Sequence, residues 1–258
     1  MSPRFRLAPI VLLFLGLAAG AGAAPPRRVL ILSGANNHDW RATTPVLKAA
    51  LEAGGLCQVV VTENPASLRP NDLAGLDVVL SNFNTFGKKD AGSVWDSEMR
   101  EAFIAWIRQG HGLVAVHAGS SVFYDWPEFQ ALAGTSWGRT SRHAKKHSSG
   151  VVIHPTIHPI ATGLAGFETH DEFWEGSVLS AGATVLATAT PKVGFGGSGK
   201  PEPIALATTL GVGRGFTLLL GHDAAAMQHE GFIRFLRRGT EWAATGAVSL
   251  PSTPLPQK

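Results

Sequence analysis

Four short, nearly unbroken apolar runs constrain this chain more than any other feature: Val29–Leu32, Leu56–Val61, Leu76–Leu80 and Gly112–Val116. Each is rich in branched residues, and three stop abruptly at small or polar residues: Ser33 to Asn37, Ser81-Asn82, and His117-Ala118-Gly119. Runs of this length and composition read as strands buried on both faces. Between them the spacing is helical. Thr43-Thr44-Pro45 starts a helix, with Thr as N-cap and Pro in the first turn, and Val46, Leu47, Ala50 and Leu51 repeat along it until Gly54-Gly55. Glu98–Gln109 gives a second helix, with Phe103, Ile104 and Ile107 on one side. Strands alternating with helices predict an α/β fold with a mostly parallel, doubly wound sheet and helices on both faces. Downstream, Gly150–Ile153, Ala183–Ala189, Ile204–Thr208 and Gly215–Leu220 read as further strands, some of them antiparallel. Glu230–Ala244 closes the domain as an amphipathic helix.

The ends of the chain read differently. Arg4 and Arg6 precede an apolar stretch from Ala8 to Ala19 and the small residues Ala19 to Ala24, the pattern of a secretory signal peptide over residues 1–24, cleaved near Ala23 or Ala24. An uncleaved signal anchor is the alternative. The apolar stretch falls short of the roughly 20 residues a membrane span needs. The expectation is therefore an exported, periplasmic or extracellular protein with no stable membrane insertion after cleavage. Residues 25–248 form one domain, and the proline-rich 249–258 is expected to be a disordered tail. The lone Cys57 excludes an internal disulfide. The formal charge of +3 is spread among acidic residues, which argues against a nucleic-acid partner.

In open parallel sheets, ligands bind beyond the carboxyl ends of the strands. Asn37, His38, Asp39 and Trp40 follow the first strand, His117 ends the central one, and His222 with Asp223 ends the last. A further group, Asp171, Glu172 and Trp174, lies outside any apolar periodicity. Each residue also has an ordinary reading: a strand-end histidine can bond a loop carbonyl, Asp39 can cap a helix, and Trp40, Trp126 and Trp174 can be core. His111, His143, His147, His154 and His229 read as solvated. Three histidines at three separate strand ends raise a site above those readings.

At these same residues the sequence resembles the ThuA-like (trehalose utilisation) family, which is built on the class I glutamine amidotransferase-like fold. The resemblance runs from about Arg28 to Gly246. It rests on His38-Asp39-Trp40-Arg41 with Thr43-Thr44-Pro45, Gly112 to His117, His158-Pro159-Ile160 with Gly163-Leu164, Asp171-Glu172, and Gly213-Arg214-Gly215-Phe216 leading to Gly221-His222. Amidotransferases of this fold carry a nucleophilic cysteine at the sharp turn after the central strand. Here that turn carries His117, and imidazole cannot form the glutaminyl thioester, so amide transfer is not expected.

The resemblance implies a small-molecule carbohydrate substrate, a disaccharide or keto-glycoside. Imidazoles beside carboxylates suit a divalent metal such as Zn²⁺. The leading expectation is a metal-assisted hydrolase, lyase or isomerase. His117, His222, Glu172 and Asp171 are its catalytic candidates, and His38, His117 and His222 its metal ligands. Asn37, His38, Asp39, Trp40 and Trp174 are its substrate contacts. A non-catalytic carbohydrate-binding protein and a metal-free acid/base enzyme are the alternatives. The oligomeric state is left open.

Overall fold

A computed structural model describes residues 25–86 and 94–252. The expected signal segment, residues 1–24, lies outside the described residues, as do 253–258 of the expected tail. Nine strands form one sheet: β1 (Arg27–Leu32), β2 (Cys57–Thr62), β3 (Val78–Ser81), β4 (Gly112–Val116), β5 (His147–Ile153), β6 (Phe167–Asp171), β7 (Thr184–Ala189), β8 (Glu202–Leu210) and β9 (Gly213–Leu218). Their order is β2-β1-β3-β4-β9-β8-β7-β5-β6. The pairings from β2 to β9 are parallel, and those from β9 to β6 are antiparallel. The sheet is therefore mixed: the antiparallel strands expected in the C-terminal half are present, and they make four of the eight pairings, so the sheet is parallel only in its N-terminal half.

Alternation along β1 explains why its run is apolar on every residue. Val29 and Ile31 join a core with Leu47 and Leu51 of α1 (Trp40–Glu52), with Met227 of α4 (Ala224–Met227), and with Phe232, Phe235 and Leu236 of α5 (Glu230–Thr245). Leu30 and Leu32 point the other way, into a core with Phe103, Ile104 and Ile107 of α2 (Ser97–Arg108) and Phe129 and Leu132 of α3 (Pro127–Ala133). A strand between two helical layers has no polar face to offer. Each of these large side chains contributes about 1.5–3 kcal/mol by leaving water.

Local chemistry departs from the sequence expectations at several places. Helix α1 begins at Trp40, three residues before the expected Thr43 cap, because the Asp39 carboxylate accepts from Ala42 N (3.1 Å). Strand β6, Phe-Glu-Thr-His-Asp, lacks an apolar run because it is an edge strand of the sheet. Residues 249–252, expected to be disordered, are held on α5: the Glu241 carboxylate accepts from the main chain of Ser249 (2.9 Å) and Leu250 (3.2 Å), and Arg234 Nη1 reaches Ser252 O (3.3 Å). Among the described residues no helix is long and apolar enough to cross a membrane.

Candidate functional site

Strand order places the site. From β1 the chain turns outward to β2, then returns across β1 to β3, so the loops leaving β1 and β3 diverge and open a crevice between them. Around it the Asn82 amide donates to the hydroxyls of Thr43 (3.1 Å) and Thr44 (2.9 Å), fastening the end of β3 to the start of α1. Asn84 Nδ2 donates to the side-chain oxygens of Asn36 (2.9 Å) and Asn37 (2.8 Å) and shapes the loop that carries His38.

Three imidazoles meet in this crevice. The ring centroids of His38 lie 4.7 Å from His117 and 4.6 Å from His222, and those of His117 and His222 are 5.5 Å apart. His117 follows β4 with φ of 47°, a left-handed conformation uncommon for a non-glycine residue, in the sharp turn that projects it into the crevice. Its Nδ1 lies 2.7 Å from Leu219 O. A carbonyl only accepts, so Nδ1 carries a proton and Nε2 is the nitrogen turned to the crevice. The same logic holds at His38, whose Nδ1 is 3.1 Å from Asn36 Oδ1. That amide is oriented by its own donation from Nδ2 to Asn82 O (3.2 Å).

Glu172 closes the cluster. Its Oε1 is 3.6 Å from His117 Nε2, and its Oε2 is 3.3 Å from His222 Nδ1 and 3.1 Å from His143 Nδ1. Trp174 Nε1 donates to Oε1 (3.2 Å) and fixes the carboxylate. Burial alone would raise the Glu172 pKa, but the His117 and His222 imidazoles hold it well below the usual carboxylate range. The Glu172 carboxylate raises His222, against burial. Burial, reinforced by His117 and His222, pushes His38 down to about 3, so it is neutral near neutral pH.

The set fits a divalent cation. One donor atom from each of His38, His117, His222 and Glu172 lies within 4.8 Å of all the others. His117 Nε2 and His222 Nδ1, though 3.6 and 3.3 Å from the Glu172 carboxylate, are buried without a hydrogen-bond partner, a costly arrangement unless something else engages them. Carbonyl partners on the far nitrogens of His38 and His117 are the supports that metal-binding imidazoles use to fix their orientation.

The profile of the ThuA family, described as Trehalose utilisation, matches residues 28–243. This chain belongs to the ThuA family. Among solved structures it is similar to a ThuA-like protein from Parabacteroides merdae ATCC 43184, with 26% identity over 88% of this chain and 92% of that one, and a TM-score of 0.76. A second ThuA-like protein, from Bacteroides uniformis ATCC 8492, shares the fold at 18% identity, with coverage of 90% and 98% and a TM-score of 0.65. The fold also recurs in a β-galactosidase from Rahnella sp. R3, at 17% identity over 85% of this chain and 31% of that one, with a TM-score of 0.54. No curated protein matches the chain in sequence. ThuA membership supports a carbohydrate-related role.

The ThuA-family site does not gather every residue singled out from the sequence. Asn37, His38, Asp39, Glu172, Trp174, His222 and Asp223 line one cavity of about 570 Å³, with His117 buried at its floor. Trp40 is elsewhere. It opens α1, one helical step beyond the Asp39 cap, and lies in a separate groove with Pro45 and Lys48, under the Arg41 guanidinium at 4.1 Å. Asp171 is fully buried and turned from the cavity, and burial raises its pKa against three backbone donors. Its oxygens accept from Gly221 N (2.7 Å), His222 N (3.1 Å) and Glu172 N (2.8 Å), so it positions the chain bearing His222 instead of meeting a ligand. Trp126 is core, as its ordinary reading had it.

Several cavity residues escaped the sequence reading, His143 and Trp137 among them. His143, expected to be solvated, reaches Glu172 from a two-residue ladder in which Arg142–His143 pairs with Trp174–Glu175. Trp137 lines the cavity mouth and was not singled out at all. His147, also expected at the surface, is buried: its Nδ1 meets Lys145 O (2.7 Å) and its Nε2 accepts from Lys192 N (3.0 Å). Cys57 begins β2 at the opposite end of the strands, and burial raises its thiol to about 12, which leaves no thiolate for nucleophilic chemistry.

Proposed function

We propose that this ThuA-family protein is a metal-assisted enzyme acting on a carbohydrate, a disaccharide or its keto derivative, with a divalent ion such as Zn²⁺ held by His38, His117, His222 and Glu172. The observation that carries this reading is the pair of buried, unpartnered imidazole nitrogens beside a carboxylate kept ionised. When bound, such an ion supplies Lewis acidity toward a sugar carbonyl or lowers the pKa of a water. The protein's own groups do the rest. Leu219 O and the Asn36 amide hold the distal protons of His117 and His38, keeping the inward lone pairs available. Glu172 supplies negative charge against an incoming cation, and the indole of Trp174 stops it from rotating away. Burial of His117 and Glu172 limits water at the reacting end.

Incubating the purified full chain with a panel of disaccharides and their keto forms tests the proposal. The expected result is turnover that a chelator abolishes and added Zn²⁺ or Mn²⁺ restores. Turnover indifferent to chelator would point to metal-free acid/base chemistry by the same side chains, and saturable binding without turnover to a carbohydrate-binding protein. We also infer that the protein works after export. Recovery from the periplasm or medium with a mature N-terminus near Pro25 is the expected observation, and an intact N-terminus in the cytosol contradicts it.

A further inference from the structure

The outer half of the cavity differs in chemistry from its floor. The floor is imidazole and carboxylate, whereas the mouth is aromatic: Trp137 and Phe86 line it, and Phe86 is 49% exposed. Large aromatic side chains left partly in water beside a polar cluster are costly unless something covers them.

Trp137 is held firmly. It follows a two-residue strand, Thr135–Ser136, which pairs with Val178–Leu179, and its main-chain N–H donates to Ser121 Oγ (2.9 Å). Its indole is braced by Trp174 at 5.0 Å and 82°, by Phe86 at 6.5 Å and 75°, and by His143 at 5.9 Å and 50°. None of these rings lies parallel to it, so no described aromatic ring stacks on the indole. Polar partners stand nearby on the same cavity wall. One oxygen of the Asp39 carboxylate caps α1, and the other has no partner among the described residues. The Asn37 side-chain oxygen is taken by Asn84, which leaves its amide nitrogen to donate. An apolar plate flanked by a spare acceptor and a spare donor matches one ligand shape: a flat ring with an apolar C–H face and a hydroxylated rim.

We propose that Trp137 is a stacking platform for a pyranose ring at the mouth of the cavity, with Asp39 and Asn37 bonding its hydroxyls. This specificity-determining subsite is distinct from the metal-holding cluster below it. It rests on the carbohydrate reading above and adds to it where the ring sits and which side chain selects it. Trp137 makes its ring contacts with Trp174, Phe86 and His143, none of them one of the four proposed metal-holding side chains, so its replacement separates sugar binding from metal binding.

The test uses the full chain, with trehalose and maltose as probes, followed by calorimetry and by saturation-transfer NMR with irradiation of the aromatic protons. Trp137→Leu, which keeps apolar bulk without a π face, is expected to weaken binding about tenfold, and Trp137→Phe to stay within about threefold of the parent. Metal content should be unchanged in both variants. In the parent, transfer should be strongest to the C–H protons of one ring face. Equal affinity of Trp137→Leu and the parent, or transfer spread evenly over both rings, overturns the platform and leaves the carbohydrate reading standing. A parent that binds neither sugar, yet loads metal, contradicts the carbohydrate reading itself.

Discussion

At His117 the chain accepts a left-handed backbone so that an imidazole, rather than a peptide group, faces the crevice. Two residues on, the turn runs so close to β3 that a Cβ on Gly119 would lie 2.0 Å from Ser81 O, which is backbone and cannot give way. Gly119→Ala is therefore expected to cost about 3 kcal/mol in urea unfolding, and an unchanged midpoint would refute the close approach. Asp171 works on the same scale, because three backbone donors converge on one buried carboxylate. Asp171→Asn turns an acceptor into a donor against an N–H, with an expected loss of about 2 kcal/mol and weaker metal retention as His222 is released. Full stability with full metal retention would show that Asp171 does not position that loop. His38, His117 and His222 were legible in the sequence because each follows an apolar run that stops abruptly. His143 was not, since a two-residue ladder in a basic loop carries no periodicity. Trp40 was misplaced because sequence proximity to His38 says nothing of the roughly 100° turn per residue once a helix has begun.

Elements are joined by polar fasteners that apolar pattern reading does not see. Arg238, buried on α5, bonds the carbonyls of Ile160 (2.7 Å), Pro159 (2.6 Å), Thr162 (2.9 Å) and Leu250 (2.5 Å), and so pins the loop after β5 and the 249–252 segment to one helix. Its replacement by Ala would orphan several carbonyls at once; a loss of about 3 kcal/mol in chemical denaturation is expected, and less than 1 kcal/mol would show the loop held by other contacts. His158 in that loop packs at 4.6 Å from the Trp242 ring, and burial keeps its pKa below the ordinary value. The native imidazole is thus neutral while the unfolded one takes a proton near pH 6.5. The stabilisation is complete above that pH and is lost as pH falls through the lower native value, with His38 acting in the same direction. His158→Asn should accordingly show a smaller fall in Tm between pH 7.5 and 5.5 than the parent, and an equal fall would remove this contribution. Every strand of the main sheet except β6, together with α1, α2 and α5, was readable, at least in outline, from runs and helical spacing. β6 was not, because an edge strand needs no apolar run, and α3 is seven residues long, too short for a helical period to emerge.

For the whole molecule, the central consequence is convergence. Residues 38, 117, 172 and 222 are far apart in the chain, and only the strand order brings their donor atoms within 4.8 Å. The loops of β1, β4 and β9 leave the same edge of the parallel half of the sheet, while β6, at the far antiparallel edge, delivers Glu172 through the loop that follows it. The ThuA match and a carbohydrate-related role agree with such a crevice, and the proposed function rests on a cation held within it. The direct measurement is metal content by mass spectrometry, with Zn²⁺ titration calorimetry, on the full chain and on a His117→Ala/His222→Ala variant shown by circular dichroism to be folded. About one equivalent of divalent metal in the parent, falling to a small fraction in the variant, is the expected result. A parent that neither carries nor takes up metal, or a variant that binds it equally well, would contradict the account.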